Sequence, residues 1–318
     1  MKTHPHDILV IGAGMAGLSC ATRLAAAGRE VTAIDKGRGP GGRMAARRAE
    51  IGGQTVSFDH GAQYFTARDP AFREVVAEWE ATGVAARWPE AGEDAFVGTP
   101  GMNGPIKAMA GELPVHWSTR AERMVRDGDY WRVEAAGATF IARTVLVAIP
   151  AEQARDLLAG SAPDFAALAG KVRSEPCWAV MAGFGERLDI AADSFRSEEG
   201  AIAWAARNSA KPERGGSENW VIHASPARSR QLLDSDSGKV AELLLTDFFT
   251  VSGAAPVKPL HLAAHRWLYA MPASLDGDAA SYDPLARIGV AGDWLHSPRV
   301  EGAFLSGRAL AEIALAAE

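Results

Sequence analysis

The stretch Asp7-Ile8-Leu9-Val10-Ile11-Gly12-Ala13-Gly14-Met15-Ala16-Gly17 constrains this chain more than any other. An apolar run the length of one buried strand stops at glycine, and a segment with helical spacing, Leu18 to Ala27, follows at once. The glycines hold the first, third and sixth places of G-x-G-x-x-G. Gly12 permits a tight turn, Gly14 lets a pyrophosphate approach the backbone, and Gly17 lets helix and strand lie close together. Free N–H groups and the positive end of the helix dipole then face the phosphates. A second apolar run, Val31 to Ile34, ends in Asp35, 23 residues after Gly12. An acid at that spacing hydrogen-bonds the ribose hydroxyls of an adenosine. Glycine-rich turns are common, and the motif alone says little. Strand, turn, helix, strand and acid in that order predict a dinucleotide site.

A chain of 318 residues accommodates about two domains, and a 47% hydrophobic, 23% charged composition is that of a globular protein with ample core. The net charge of -6 argues against nucleic-acid and anionic-membrane surfaces. Cys20 and Cys177 are too few for a disulfide framework or a cysteine metal site, and Cys20, among Leu18, Ala21 and Leu24, reads as a small buried residue. His60, His116, His223, His261 and His296 are scattered, with no carboxylates at ligand spacing, and no metal site is expected. Met1 to His6 lacks a secretory pattern, and no run approaches the ~20 apolar residues of a membrane span. The expectation is a cytoplasmic protein with no nucleic-acid or membrane partner; the sequence leaves oligomeric state open.

Asp35 is followed by a glycine-rich basic loop, Lys36 to Met44. In isolation it reads as a solvent loop; after a dinucleotide fold, Gly41 and Gly42 allow backbone to approach a ligand, and Arg43 can neutralise phosphate or lie against a ring. Ala71 to Ala81 has helical spacing through Phe72, Val75, Val76 and Trp79, residues 82–105 read as irregular, and a short helix starts near Pro105. Val115 to Trp117, Arg123 to Val125 and Tyr130 to Glu134 read as strands with turns at Asp127-Gly128 and Gly137, continued by Phe140 to Ala142. Thr144 to Pro150 reads as a buried parallel strand, followed by a helix from Glu152 to Leu158. Residues 171–270 change texture. Trp178, Trp204, Trp220 and Trp267 fall among short alternating segments, Lys211 to Ser217 is a polar loop, and Val240 to Thr250 is helical. Ile288 to Asp293 is a short strand ending in Gly-Asp, and Glu301-Gly302-Ala303 opens a helix running to Ala316, a second N-terminus suited to a partly negative group.

These pieces together resemble FAD-dependent oxidoreductases of the flavin amine oxidase superfamily. The opening fingerprint, Gly41-Gly42-Arg43, and Gly292-Asp293 with Val300-Glu301-Gly302-Ala303-Phe304-Leu305-Ser306-Gly307 carry that resemblance. More narrowly, Asp59-His60-Gly61-Ala62-Gln63-Tyr64-Phe65, Gly101-Met102-Asn103, His265-Arg266-Trp267 and Gly292-Asp293-Trp294-Leu295 resemble bacterial renalase-type proteins. The fold this implies is α/β: a Rossmann-type FAD-binding domain with a parallel sheet plus β-meander, and a second α+β substrate domain of mixed or antiparallel sheet and helices. The expected division is 1–67, 111–170 and 275–318 for FAD, and 68–110 with 171–274 for substrate.

The resemblance implies a non-covalent FAD. Gly12, Ala13, Gly14, Met15, Ala16 and Gly17 would hold its pyrophosphate, and Asp35, beside Lys36, the adenosine ribose. Gly42, Arg43, Met44, His60, Gly61, Ala62, Gln63 and Ala121 join the expected cofactor contacts. Gly292 and Asp293 would meet the ribityl phosphate, and Val300, Glu301, Gly302 and Ala303 the pyrimidine end of the flavin. No second glycine fingerprint follows, and a separate NAD(P)H domain is not expected.

Proteins of the renalase type, on this resemblance, oxidise 2-dihydro, and in some members 6-dihydro, isomers of NAD(P)H. Hydride goes to flavin N5, the products are NAD(P)+ and, with O2 as second substrate, hydrogen peroxide. That chemistry requires orientation over N5 rather than a general base. No acid–base residue is therefore assigned, and the orienting candidates are Tyr64, Trp204, Asn219, Trp220, His265, Trp267 and Tyr269. Each is equally a residue type that cores and structural hydrogen bonds use. Arg207, Arg214 and Arg266 are candidates for a 2′-phosphate; Lys258, between prolines, reads as a surface turn. An amine oxidase, a desaturase and a non-catalytic flavin-binding redox sensor stay open as alternatives.

Overall fold

The opening apolar run is the central strand of a sheet, His6–Ile11, in the computed structural model, which describes residues 5–317. The chain divides into two units, Met1–Gly42, Ile106–Arg173 and Pro272–Glu318 forming one, Arg43–Pro105 and Ser174–Met271 the other.

In the first unit His6–Ile11 pairs in parallel with Val31–Ile34 on one side and Ala138–Val147 on the other. Val115–His116 and Ile288–Ala291 extend the parallel order outward, and Ala280–Asp283 adds an antiparallel edge. The stretch expected as two strands, Phe140 to Ala142 and Thr144 onward, is a single ten-residue strand, Ala138–Val147. Its first half pairs antiparallel with Tyr130–Ala135 and its second half joins the parallel core, so the meander grows directly out of the sheet. The strands in the middle are buried on both faces, which explains their unbroken apolar runs. The glycine-turn helix, Met15–Ala26, lies against the C-terminal helix Val300–Ala316, and Gly307 makes that contact possible: a Cβ there would stand 1.9 Å from the Ala16 carbonyl oxygen.

In the second unit a five-stranded sheet runs in the order Ser194–Arg196, Ile202–Arg207, Asn219–Ala224, Ser174–Gly183, His261–Pro272. One face is covered by the helix Ser237–Ser252, whose Val240, Leu244 and Phe248 meet Trp178, Val180, Trp220 and Ile222. On the other face Met181 and Val221 meet Ile51, Val56 and Phe58 of the hairpin Arg47–Ile51 with Gln54–Phe58. That hairpin is why the unit boundary falls at 42/43 and not at 67/68: its apolar residues are completed by strands of the second sheet. Residues 82–105, expected to be irregular, contain Ala85–Arg87 and Ala95–Gly98, which with Phe65–Thr66 form a three-stranded sheet beside the helix Pro70–Ala81. These strands are two to four residues long, too short to show alternation among the surrounding Gly and Pro.

Candidate cofactor and substrate sites

The first unit builds its site from backbone. Gly12 has φ +104°, and a Cβ there would meet the Ala148 carbonyl oxygen at 2.4 Å. At Gly17 a Cβ would lie 1.8 Å from the Gly12 carbonyl oxygen. At Gly14 it would meet nothing within 4 Å. Two glycines therefore close the turn onto strand and helix, while the third leaves open space at the helix start. Gly14 is the N-cap and has no side-chain cap bond, so the first-turn N–H groups of Met15–Ala26 point outward uncapped. This arrangement fits a diphosphate.

Asp35 follows the second strand. Its Oδ2 accepts from the Ala13 N–H at 2.7 Å and its Oδ1 from the Gly37 N–H at 2.6 Å. The carboxylate thus ties the glycine turn to the start of the basic loop, and each oxygen keeps a further lone pair. Lys36 donates to Gln153 at 3.0 Å. The C-terminal strand delivers Gly292 and the buried Asp293 to a short 3-10 turn, Asp293–Leu295. The helix Val300–Ala316 then opens with Glu301, Gly302 and Ala303 buried and no side-chain cap. A Cβ on Gly302 would strike the Ser297 carbonyl oxygen at 2.2 Å, so glycine is required for that chain entry. Ala121 begins the meander strand Ala121–Asp127, opposite Ala135.

Arg43, Met44, His60, Gly61, Ala62 and Gln63 fall in the second unit. Here the turn 59–63 is the organising element. Ala62 N–H donates to the Arg43 carbonyl at 2.8 Å, and a Cβ on Gly61 would sit 2.0 Å from that same oxygen. His60 stacks on Trp267 at 5.2 Å between centroids and meets His265 edge-on at 4.9 Å. The Trp267 indole N–H donates to the His60 carbonyl at 2.8 Å. Burial, then repulsion from a protonated neighbour at His265 and from the Arg47 guanidinium, push the His60 imidazole down to about 4. Burial and Arg47 also lower His265 and His261. At neutral pH these rings are uncharged.

Beneath the turn lies an ionic cluster. Asp59 is fully buried and accepts from Arg214 Nη2 at 2.7 Å, Lys211 Nζ at 3.3 Å and the Met102 N–H at 2.9 Å. Burial opposes its ionisation, but Lys211 and Arg214 overcome that and hold the carboxyl below its usual range. Lys211 also donates to Gln63 Oε1 at 3.1 Å, clamping both ends of the turn. Its own ammonium is lowered to about 8 by burial, against the pull of Asp59. Burial first, then Lys211, push His223 down to about 4.

The expected substrate-orienting residues separate by strand alternation. His261 stacks on Phe58 and Ala263 packs with the hairpin core, whereas Leu262 and Ala264 join the helix-covered core. His265, Trp267 and Tyr269 continue the first series, on the face toward the 59–63 turn. Asn219, Val221 and His223 share that face on their strand. Trp220 does not. It is fully buried on the opposite face, against Phe195 and Phe248, with its N–H on Glu218 at 2.7 Å, and it is a core residue. Neighbouring strand residues point to opposite sides, so Asn219 and Trp220 cannot share a face. Asn219 is fully buried, its amide donating to the Ser217 carbonyl at 2.9 Å. Tyr64 and Trp204 meet at 5.4 Å.

Arg207 and Arg214 are likewise committed elsewhere. Arg207 is buried against Glu218 and Asp193, and Arg214 serves Asp59, so neither is available to a 2′-phosphate. Arg266 lies over the Trp178 ring. Lys258 is exposed, in the segment after the helix Ser237–Ser252. Sequence reasoning did not identify Lys211 as a buried partner; in a polar, glycine-containing loop it carries the signature of solvent. Arg47 and Trp88 were missed for the same reason, since their neighbours come from distant strands.

Comparison with known proteins decides the family. The model for flavin containing amine oxidoreductases matches residues 87–315, well over half the chain, and an NAD(P)-binding Rossmann-like domain model matches residues 10–79. The chain belongs to the flavin-containing amine oxidoreductase family. Its cofactor is FAD. In fold it is similar to a candidate protoporphyrinogen oxidase from Exiguobacterium sp. 255-15, with TM-score 0.75, 13% identity and coverage of 99% of this chain and 100% of the other. A redesigned putrescine oxidase gives TM-score 0.72 at 13% identity, over 99% of each chain. Cyclohexylamine oxidase from Brevibacterium oxydans IH-35A gives 0.67 at 12%, over 98% and 99%. In sequence, 63 residues are 46% identical to hydroxyneurosporene desaturase from Rubrivivax gelatinosus, spanning 20% of this chain and 11% of that protein. No helix among the described residues is long and apolar enough to cross a membrane.

Proposed function

We propose that this chain is a renalase-type oxidase of misreduced nicotinamide dinucleotides, the 2-dihydro and 6-dihydro isomers of NAD(P)H, with O2 as second substrate and NAD(P)+ and hydrogen peroxide as products. Bound FAD supplies the two-electron acceptor at N5 and the route of electrons to O2. The supporting observation is the wall His60–His265–Trp267: uncharged imidazoles in the field of Arg47, His60 stacked on Trp267 and His265 edge-on to both. A dihydropyridine becomes an aromatic pyridinium on losing hydride, so the protein has no proton to remove and needs chiefly to hold a flat ring in place. Imidazoles lowered to about 4 in His60 and shifted down in His265 suit that task. An ammonium substrate, by contrast, would enter against the Arg47 charge, whereas a diphosphate would be drawn to it.

On this reading the uncapped start of Met15–Ala26 holds the FAD pyrophosphate, Asp35 uses its remaining lone pairs for ribose hydroxyls, and the start of Val300–Ala316 faces the pyrimidine end. FAD is held non-covalently. Cys20 is fully buried with its thiol pushed far up by burial, and burial raises the Cys177 thiol to about 12. The second reading is amine oxidation, favoured by the family itself and by the fold shared with a putrescine oxidase solved bound to putrescine. Anaerobic mixing with each substrate class distinguishes the two. A dihydro isomer bleaches the flavin rapidly under the first reading, and an amine does so under the second.

A further inference from the structure

A second aromatic cluster in the same unit has a chemistry the ring wall does not use. Trp204, on the strand Ile202–Arg207, stands opposite Arg196 in the register of the neighbouring strand. The Arg196 guanidinium lies 5.3 Å from the Trp204 ring centroid and donates from Nη2 to the Tyr64 hydroxyl at 2.5 Å. Trp88 meets Trp204 edge to face at 6.4 Å, and the Lys211 ammonium lies 5.2 Å from the Trp88 centroid. Both indole N–H groups, Trp88 Nε1 and Trp204 Nε1, are buried without a hydrogen-bond partner, and Trp88 is only 2% exposed.

An indole nitrogen and a guanidinium can only donate. Buried donors are almost always satisfied, because leaving one unpaired forfeits the bond it had with water. Two orphaned donors in one cluster, beside an arginine whose contacts among the described residues are the Tyr64 hydroxyl and the Trp204 ring, ask for an acceptor from outside the chain. The cation on Trp204 makes an anionic acceptor the better match, and the planar guanidinium fork is shaped for phosphate oxygens.

We propose that Arg196, Tyr64, Trp88 and Trp204 form a binding site for a phosphate oxyanion. Resting on the dinucleotide reading above, its occupant is the substrate diphosphate, so the site selects dinucleotides over free dihydronicotinamide. Arg196 is exposed at the sheet edge, and replacing it leaves the core intact.

The test uses FAD-loaded enzyme and two readouts. Inorganic pyrophosphate should quench tryptophan fluorescence saturably in the wild type, with affinity lower by about tenfold or more in Arg196→Met at equal flavin content. In turnover, Arg196→Met should raise KM for 2-dihydro-NAD by a similar factor with kcat unchanged, and leave KM for the phosphate-free 2-dihydronicotinamide riboside unaltered. Absent pyrophosphate binding, or equal binding to both proteins, overturns the site. A riboside KM that rises in parallel means the cluster holds the carboxamide, and overturns the phosphate assignment. If pyrophosphate binds as expected and no dihydro isomer is oxidised, the oxyanion site stands and the nicotinamide reading falls.

Discussion

The two units reach their sites by opposite means. In the first, glycines and uncapped helix starts shape the ligand surface, and the close approaches are to backbone: Gly17 and Gly302 to the carbonyls of Gly12 and Ser297, Asp35 to the Ala13 and Gly37 N–H groups. In the second, side chains do the shaping, and they come from strands far apart. Asp59 is held by residues 211 and 214, His60 by residue 267, and Trp88 lies against residue 204. A backbone site tolerates sequence change around its glycines. A side-chain site depends on ionic and aromatic partners remaining together.

The contrast is tested first where the effect should be largest. Gly17→Val places Cβ on the Gly12 carbonyl and should abolish FAD retention, read as flavin absorbance per protein; wild-type flavin content would show that the turn is not rigid. Next, Asp59→Ala leaves Lys211 and Arg214 buried without their carboxylate. It should cost roughly 3–5 kcal/mol, seen as a fall in denaturation midpoint, and an unchanged midpoint would remove the cluster from the account.

The imidazoles come third. His60 and His223 sit at about 4 in the folded protein against an ordinary value of about 6.5, so between those values the unfolded chain binds more protons. Their contribution is complete above pH 6.5 and is lost as pH falls toward 4, on the order of 3 kcal/mol for each ring. His223→Asn should flatten part of that fall in urea midpoint; an identical pH profile would contradict the assignment. Smallest is a pair of substitutions that separates the two faces of one sheet. Trp267→Phe removes the bond to the His60 carbonyl, about 1 kcal/mol, and should change substrate KM. Trp220→Phe should lower stability and leave KM alone, and a KM change there would place Trp220 back at the substrate.

What was legible in the sequence follows the same division. The glycine fingerprint, Asp35 and the Gly292-Asp293 helix start are local patterns in which geometry is dictated by adjacent residues, and from them the parallel sheet and the cofactor could be read. The second unit's antiparallel sheet was readable as a class, from alternation around Trp178 and Trp220. The face each residue takes depends on register, which is why Trp220 was grouped with Asn219. Lys211 and Arg214 looked like solvated loop charges because burial of an ion is decided by its partner, and Asp59 lies about 150 residues earlier. Residues 82–105 hid their strands because three- and four-residue strands carry no period.

The most direct measurement is anaerobic stopped-flow reduction of the FAD-loaded protein by 2-dihydro-NAD(P), 6-dihydro-NAD(P), ordinary 4-dihydro-NADH and simple primary amines. The neutral ring wall beside Arg47 predicts rapid loss of flavin absorbance with a 2- or 6-dihydro isomer and none with amines. Rapid loss with an amine, and none with any dihydro isomer, would contradict it.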